Sequence, residues 1–216
     1  MKPLLTLLFA CLGALNIVGQ IYGHPQLTQL SKAMLMPSLF LLVYLTENPS
    51  RKYLWALFFS WLGDLFLIPN GTPYFITGIA CFWLTQIGYC HLILKRLKCH
   101  LGAAFKSPKG RLPLLILTVY LLLVVYLMIP RLGNLLIPVM LYATTLAITG
   151  YLGCLLALEK KTLNNLLLAA GALLFVLSDS MIAFDAFYFS EKQFGYWVMI
   201  TYIPAQFLIS KNLAVK

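Results

Sequence analysis

Acidic residues are nearly missing from this chain. Six Asp and Glu stand against sixteen Lys and Arg, and charged residues of every kind fill only 10% of the 216 positions while hydrophobic ones fill 61%. A soluble domain of this size needs far more polar surface to cover itself. The composition therefore excludes a water-soluble globular fold and implies an integral membrane protein. Paired cysteines are missing too: Cys11, Cys81, Cys90, Cys99 and Cys154 show no C-x-x-C spacing, and four of them lie inside apolar runs. That pattern offers neither a disulfide framework nor a zinc site. The three histidines, His24, His91 and His100, have neither H-x-x-x-H spacing nor a shared depth, so no metal and no other cofactor is expected. The formal charge of +10 does not call for a nucleic-acid partner, because the basic residues sit between apolar runs rather than on a patterned polar face. They read as topology determinants and lipid-headgroup contacts.

What the chain has in abundance is apolar runs of membrane-spanning length, each about 20 residues. Eight are expected, at roughly 4–22, 28–46, 52–69, 74–94, 112–130, 135–158, 164–189 and 195–213. Breaks such as Glu47-Asn-Pro-Ser-Arg-Lys52 and Pro69-Asn-Gly-Thr-Pro73 separate them. The first run has the positive start of a signal peptide; it is read as a retained span, because its apolar stretch continues to Tyr22 and the others need an even partner. Eight spans put Lys2, Arg51, Lys52, Lys95, Arg96, Lys98, Lys106, Lys109, Arg111, Lys160, Lys161, Lys211 and Lys216 on one side, leaving Lys32, Arg131 and Lys192 for the other. The expectation is an all-α polytopic membrane protein: one bundle of eight transmembrane helices forming a single domain over residues 1–216, with both termini cytoplasmic. A bacterial inner membrane suits its size and composition, an endomembrane being the alternative; the oligomeric state is left open.

Polar residues inside the spans carry the functional signal. An ionised Asp at the centre of a membrane helix costs roughly 2.5–3.5 kcal/mol on insertion scales, yet the stretch GALLFVLSDSMIAFDAFYF (171–189) contains two. Counted at about 1.5 Å per residue from the outer ends of the spans, Lys32, Asp64, Asp179, Asp185, Tyr142, Tyr202, Gln86 and Gln206 all fall between the outer surface and the midplane. If the helices pack around that slab, these groups make one polar pocket. Asp64 and Asp179 are the strongest candidates for function, since intramembrane acids are usually paired or functional. Lys32 can also snorkel to the headgroups, Asp185 can serve as a cap or interfacial charge, the tyrosines can be anchors and the glutamines helix ties. Gly171, Phe175, Asp179 and Ala183 share a helix face, which lets a second helix or a substrate chain come close.

The same segments carry a family resemblance. Ser31-Lys-Ala-Met-Leu-Met-Pro37, Ser60-Trp-Leu-Gly-Asp64, Gly78 through Tyr89, Tyr142, Gly171 through Ala183 and Thr201-Tyr-Ile-Pro-Ala-Gln206 resemble the YhhN-type lysoplasmalogenase family. The resemblance covers nearly the whole chain in order, and the long seventh-span segment is its most specific part. It implies an eight-span membrane hydrolase that cleaves the vinyl ether bond of lysoplasmalogens, with a lysophospholipid as substrate and the bilayer as surroundings. The family commonly has His at the position of Gln86, in FWLTQIGY. Gln keeps hydrogen bonding but does not titrate, so either that group is not the acid or this chain differs in activity or substrate choice.

Vinyl ethers are cleaved by acid. Protonation of the β-carbon gives an oxocarbenium ion, water adds at the α-carbon, and the hemiacetal collapses to an aldehyde and an alcohol. The slow step needs a carboxylic acid that keeps its proton and a negative or polar group facing the cation, comparable to the carboxyl pair of glycosidases. Asp64 and Asp179 are expected to divide these duties, in an order the sequence does not give. Lys32 is expected to bind the substrate phosphate, with Gln86, Tyr142, Ser178, Tyr202, Gln206 and Asp185 as further substrate-site candidates. A small proton-coupled transporter using the same buried acids as a relay and a non-catalytic lipid-binding protein are the competing functions.

Overall fold

A computed structural model describes residues 1–97, 107–189 and 193–214, without the Lys109 side chain. Cys99, His100, Lys98, Lys106, Lys192 and Lys216 thus lie outside the described residues. The described chain is helical and contains no strand. Its helices are α1 (Lys2–Ile21), α2 (Pro25–Thr46), α3 (Arg51–Phe66), α4 (Thr72–Leu94), α5 (Pro108–Leu132), α6 (Leu136–Glu159), α7 (Leu163–Ala183) and α8 (Gly195–Leu213), with a π-turn at Phe184–Tyr188 continuing α7. Each overlaps an apolar run read from the sequence, and the start signals are the ordinary ones. Ser50, Ser107 and Thr162 accept a backbone N–H with their side chains at the starts of α3, α5 and α7.

Among the described residues, five stretches are long and apolar enough to cross a membrane: α1, α2, α4, residues 110–159 (which hold most of α5 and all of α6) and Leu163–Tyr188. The chain is an integral membrane protein. Helix α3 has only 16 residues, and α3 and α8 both stand outside that set. α3 is short, and both helices carry part of the polar interior, Ser60 and Asp64 on α3 and Gln206 and Ser210 on α8.

Helix α1 packs on α2 and α8, α3 on α2 and α4, α6 on α4, α5 and α7, and α7 on α8. Small residues set the closest approaches, as expected where packing rather than apolar burial drives association. A Cβ on Gly88 would stand 2.9 Å from Ala56 Cβ, fixing α4 against α3. One on Gly171 would stand 3.0 Å from Leu208 Cβ, so the small-residue face of α7 receives a helix, α8. Pro37 lacks the N–H that would bond Ala33 within α2, and Trp61 Nε1 of α3 donates to the freed Ala33 carbonyl at 3.0 Å. That bond ties the Lys32 turn of α2 to the Asp64 turn of α3. Glu47 pairs with both Lys2 (2.6 Å) and Lys211 (3.9 Å), which gathers the start of α1, the end of α2 and the end of α8 at one end of the molecule.

Candidate active site

Polar residues of α2, α3, α4 and α8 meet around Asp64. Asp64 is buried one turn after Ser60 on α3, so the two side chains share a face. Its Oδ2 accepts a hydrogen bond from the Tyr202 hydroxyl at 2.7 Å, and its Oδ1 lies 3.9 Å from Lys32 Nζ. Gln206, one turn after Tyr202 on α8, donates through Nε2 to Ser60 Oγ at 2.6 Å and to the Tyr202 oxygen at 3.1 Å. Ser60 and Tyr202 are 2.9 Å apart, and Tyr89 donates to Gln206 Oε1 at 2.9 Å. Because the Tyr202 hydroxyl donates to Asp64, the Ser60 hydroxyl donates to Tyr202. Every donor in the chain then points toward the carboxylate, an alignment that suits an anion at its end with an ammonium opposite.

Asp179 has a different setting. It is 8% exposed, its Oδ2 accepts from the Tyr142 hydroxyl of α6, and its Oδ1 is buried with no hydrogen-bond partner among the described residues. Gln86 is fully buried, its amide close to the Tyr142 hydroxyl but not aligned for a regular hydrogen bond. The charges of Asp64 and Lys32 both act on Asp179, so the two groups form one electrostatic site. Phe82 and Phe175 pack edge-on against Tyr202, with ring centroids 6.2 and 5.5 Å away, which surrounds the site with apolar matter.

Two cavities adjoin these residues. The outer one, of about 880 Å³, lies between the α1–α2 and α3–α4 turns and the π-turn; Lys32, Asn70, Asp185 and Gln29 are in its wall. The inner one is narrow, about 70 Å³, and lies among α4, α5, α6 and α7. Its wall is apolar except for a few groups, among them Asp179, Tyr142 and Ser180. A phosphate-bearing group suits the first and a hydrocarbon the second.

Of the residues expected from the sequence, Lys32, Asp64, Tyr202 and Gln206 come together in the first group, and Gln86, Tyr142 and Asp179 in the second. Two do not join either. The Ser178 hydroxyl donates to the Val198 carbonyl at 3.2 Å and ties α7 to α8. Asp185 borders the outer cavity, but its carboxylate accepts the backbone N–H groups of Gln193 and Phe194 at 2.8–3.1 Å, which caps the entry to α8. The polar region also extends further along the bundle than the expected residues. Tyr89 continues it, and Tyr53, near the start of α3, stacks on Tyr89 at 6.2 Å and approaches Ser210. Ser60 and Tyr89 were missing from the expected set; Ser60 had a usable signal, its four-residue spacing from Asp64. Asn16, buried and donating to the Thr28 carbonyl (2.8 Å) and Ser31 Oγ (3.1 Å), was hidden in a run otherwise read only as apolar.

Residues 27–213 match the model of the YhhN family. Over 172 residues the chain is 29% identical to a protein named lysoplasmalogenase TMEM86A from Bos taurus, an alignment covering 77% of this chain and 67% of that protein. No solved structure matches the chain significantly.

Proposed function

The chain belongs to the YhhN family, and from that premise we propose that it is a membrane hydrolase cleaving the vinyl ether bond of lysoplasmalogens to a fatty aldehyde and a glycerophospho-alcohol. The relative's name, lysoplasmalogenase, supports the reaction. The side chains support a division of labour other than the expected one, with the acid, the cation-facing and the water-activating duties on Asp179 and a positioning role on Asp64. One observation carries it: Asp179 Oδ1, buried and without a hydrogen-bond partner among the described residues, belongs to a carboxyl in the wall of an otherwise apolar cavity. Such a group is most stable as the neutral acid.

Asp179 therefore gives its Oδ1 proton to the β-carbon of the vinyl ether, while Tyr142 holds Oδ2. The carboxylate left behind faces the oxocarbenium ion formed at the α-carbon and then takes a proton from the attacking water. The hemiacetal collapses to aldehyde and alcohol, and Asp179 is again protonated; one water is consumed and the proton is conserved. Asp64 stays ionised at the end of its donor chain and holds Lys32 in place to receive the substrate phosphate. Gln86 lies beside Tyr142 and does not titrate. The protein acts as one domain of eight spans with both termini cytoplasmic, so the outer cavity opens away from the cytoplasm of a bacterial plasma membrane. The distribution of basic residues supports that orientation.

The test is aldehyde release by purified protein from a vinyl-ether lysophospholipid, with the alkyl-ether analogue as control. Removing a general acid lowers the rate by about 100- to 10,000-fold, and Asp179→Asn is expected to do so while the protein stays folded. Full activity in Asp179→Asn would refute the assignment. Consumption of neither lipid by the wild type would leave a lipid-binding protein.

A further inference from the structure

The two cavities share part of their walls. Leu67, Phe75, Ile182 and Phe187 border both, and the Phe75 and Phe187 rings meet edge to face at 5.3 Å. Asp179 precedes Ile182 by three residues, so the carboxyl lies roughly 4.5 Å along α7 on the inner side of this constriction. On the outer side stand Lys32 and the wide polar cavity. From Leu132 to Tyr120 the α5 wall of the inner cavity runs for roughly 18 Å. Its far end is bounded by Phe82, Tyr120, Ala147 and Val176, each the cavity residue nearest the end of its helix that points away from the outer cavity. Helix α5 packs chiefly on α6, on the short turn before α6 and on the π-turn after α7, so this wall is the one best able to move outward for a chain.

We propose that a single-chain ether lipid binds across both cavities, its phosphate beside Lys32 and its hydrocarbon in the inner cavity, with the first carbons of the chain held between Leu67, Phe75, Ile182 and Phe187. The assignment rests on the substrate class proposed above. It gives these four residues the role of a gauge: one hydrocarbon chain passes, and a second chain on the neighbouring glycerol carbon does not. It also makes Ala147 and its neighbours the stop that sets the preferred chain length. The narrowness of the inner cavity argues the same way, because a hydrated headgroup does not fit where a slender chain does. A carboxyl just past the constriction then faces the first carbons of the chain, the β-carbon among them.

Binding is read apart from catalysis with alkyl-ether lysophospholipids, which carry no vinyl ether to hydrolyse. One probe bears a diazirine at the methyl end of the chain and a second bears it on the headgroup; the full chain is irradiated in nanodiscs and the adducts are mapped by mass spectrometry. The chain probe is expected to label residues within 120–147 and the headgroup probe residues within 19–32 or 67–72, both suppressed by unlabelled lysolipid. Labelling confined to lipid-facing positions such as Tyr126 and Ile137, and indifferent to competitor, would overturn the proposal. Ala147→Trp is expected to weaken binding of long chains by about fourfold for each methylene kept out and to leave short chains unaffected; equal loss at every length would also overturn it. The expected labelling without aldehyde release from the vinyl-ether substrate would refute the hydrolase and leave the two-cavity binding standing.

Discussion

Removing the charge of Asp64 should destabilise this protein, and removing that of Asp179 should not. Asp64→Asn is nearly isosteric and keeps an acceptor for the Tyr202 hydroxyl, so it isolates the charge. At the 3.9 Å that separates Asp64 Oδ1 from Lys32 Nζ, an ion pair is worth roughly 4 kcal/mol at an effective dielectric near 20 and roughly 1 kcal/mol in water. The Asp64 side chain is 3% exposed and that of Lys32 18%, which brings the pair nearer the first limit. The long separation and the desolvation of both ions reduce the net. A loss of about 2 kcal/mol is expected, seen as a Tm lower by about 4–8 °C for a chain of this size. Thermal unfolding of the purified protein in detergent, followed by tryptophan fluorescence, measures it. Adding Lys32→Met removes the stranded ammonium and should recover most of the loss. Asp179 takes part in no close ion pair among the described residues, and Asp179→Asn should unfold near the wild-type temperature. If Asp64→Asn melts with the wild type, or if the double variant is no better than the single one, Asp64 and Lys32 are not an ionised pair and the division of roles between the two acids fails.

Three further outcomes are expected. Tyr142→Phe removes the hydroxyl that holds Asp179 Oδ2; a hydrogen bond to a charged group is worth about 1.5–3 kcal/mol, so aldehyde release should fall by roughly 10- to 100-fold, and an unchanged rate would remove Tyr142 from the site. Trp61→Phe strands the Ala33 carbonyl and should cost about 1–3 kcal/mol, but little in a Pro37→Ala background, where α2 bonds that carbonyl itself; equal costs in both backgrounds, read as Tm shifts, would break the link between Pro37 and Trp61. Asp185→Ala should cost about 0.5–2 kcal/mol through loss of its cap while the rate per folded molecule stays at the wild-type level; a catalytic defect would return Asp185 to the chemistry.

Much of the fold was legible because the bilayer imposes it. Apolar runs of spanning length must be helical to satisfy their backbone, so the positions of the helices followed from hydropathy, and their ends from residues such as Ser50, Ser107 and Thr162. Less of the site was legible. Asp64 and Asp179 stand out because an acid among apolar residues is costly wherever it points. Ser60, Tyr89 and Asn16 do not, since a hydroxyl or amide in a membrane helix is cheap and serves equally well as an anchor or a tie. Asp185 was open to two readings, cap or site group; its charge is conspicuous either way, and the π-turn carries it to the backbone at the start of α8, where it caps.

By itself, then, the sequence determined the solvent this chain lives in, the helices that solvent requires, and the acids whose burial has to be compensated. Only the tertiary structure decided what compensates them. It set Asp64 against an ammonium and a chain of aligned donors, and it left Asp179 with one tyrosine and an apolar wall. The difference depends on which helices touch, and that depends on contacts such as Gly88 on Ala56 and Trp61 on the Ala33 carbonyl. These join residues far apart in the chain, and short-range hydropathy and spacing carry no record of them.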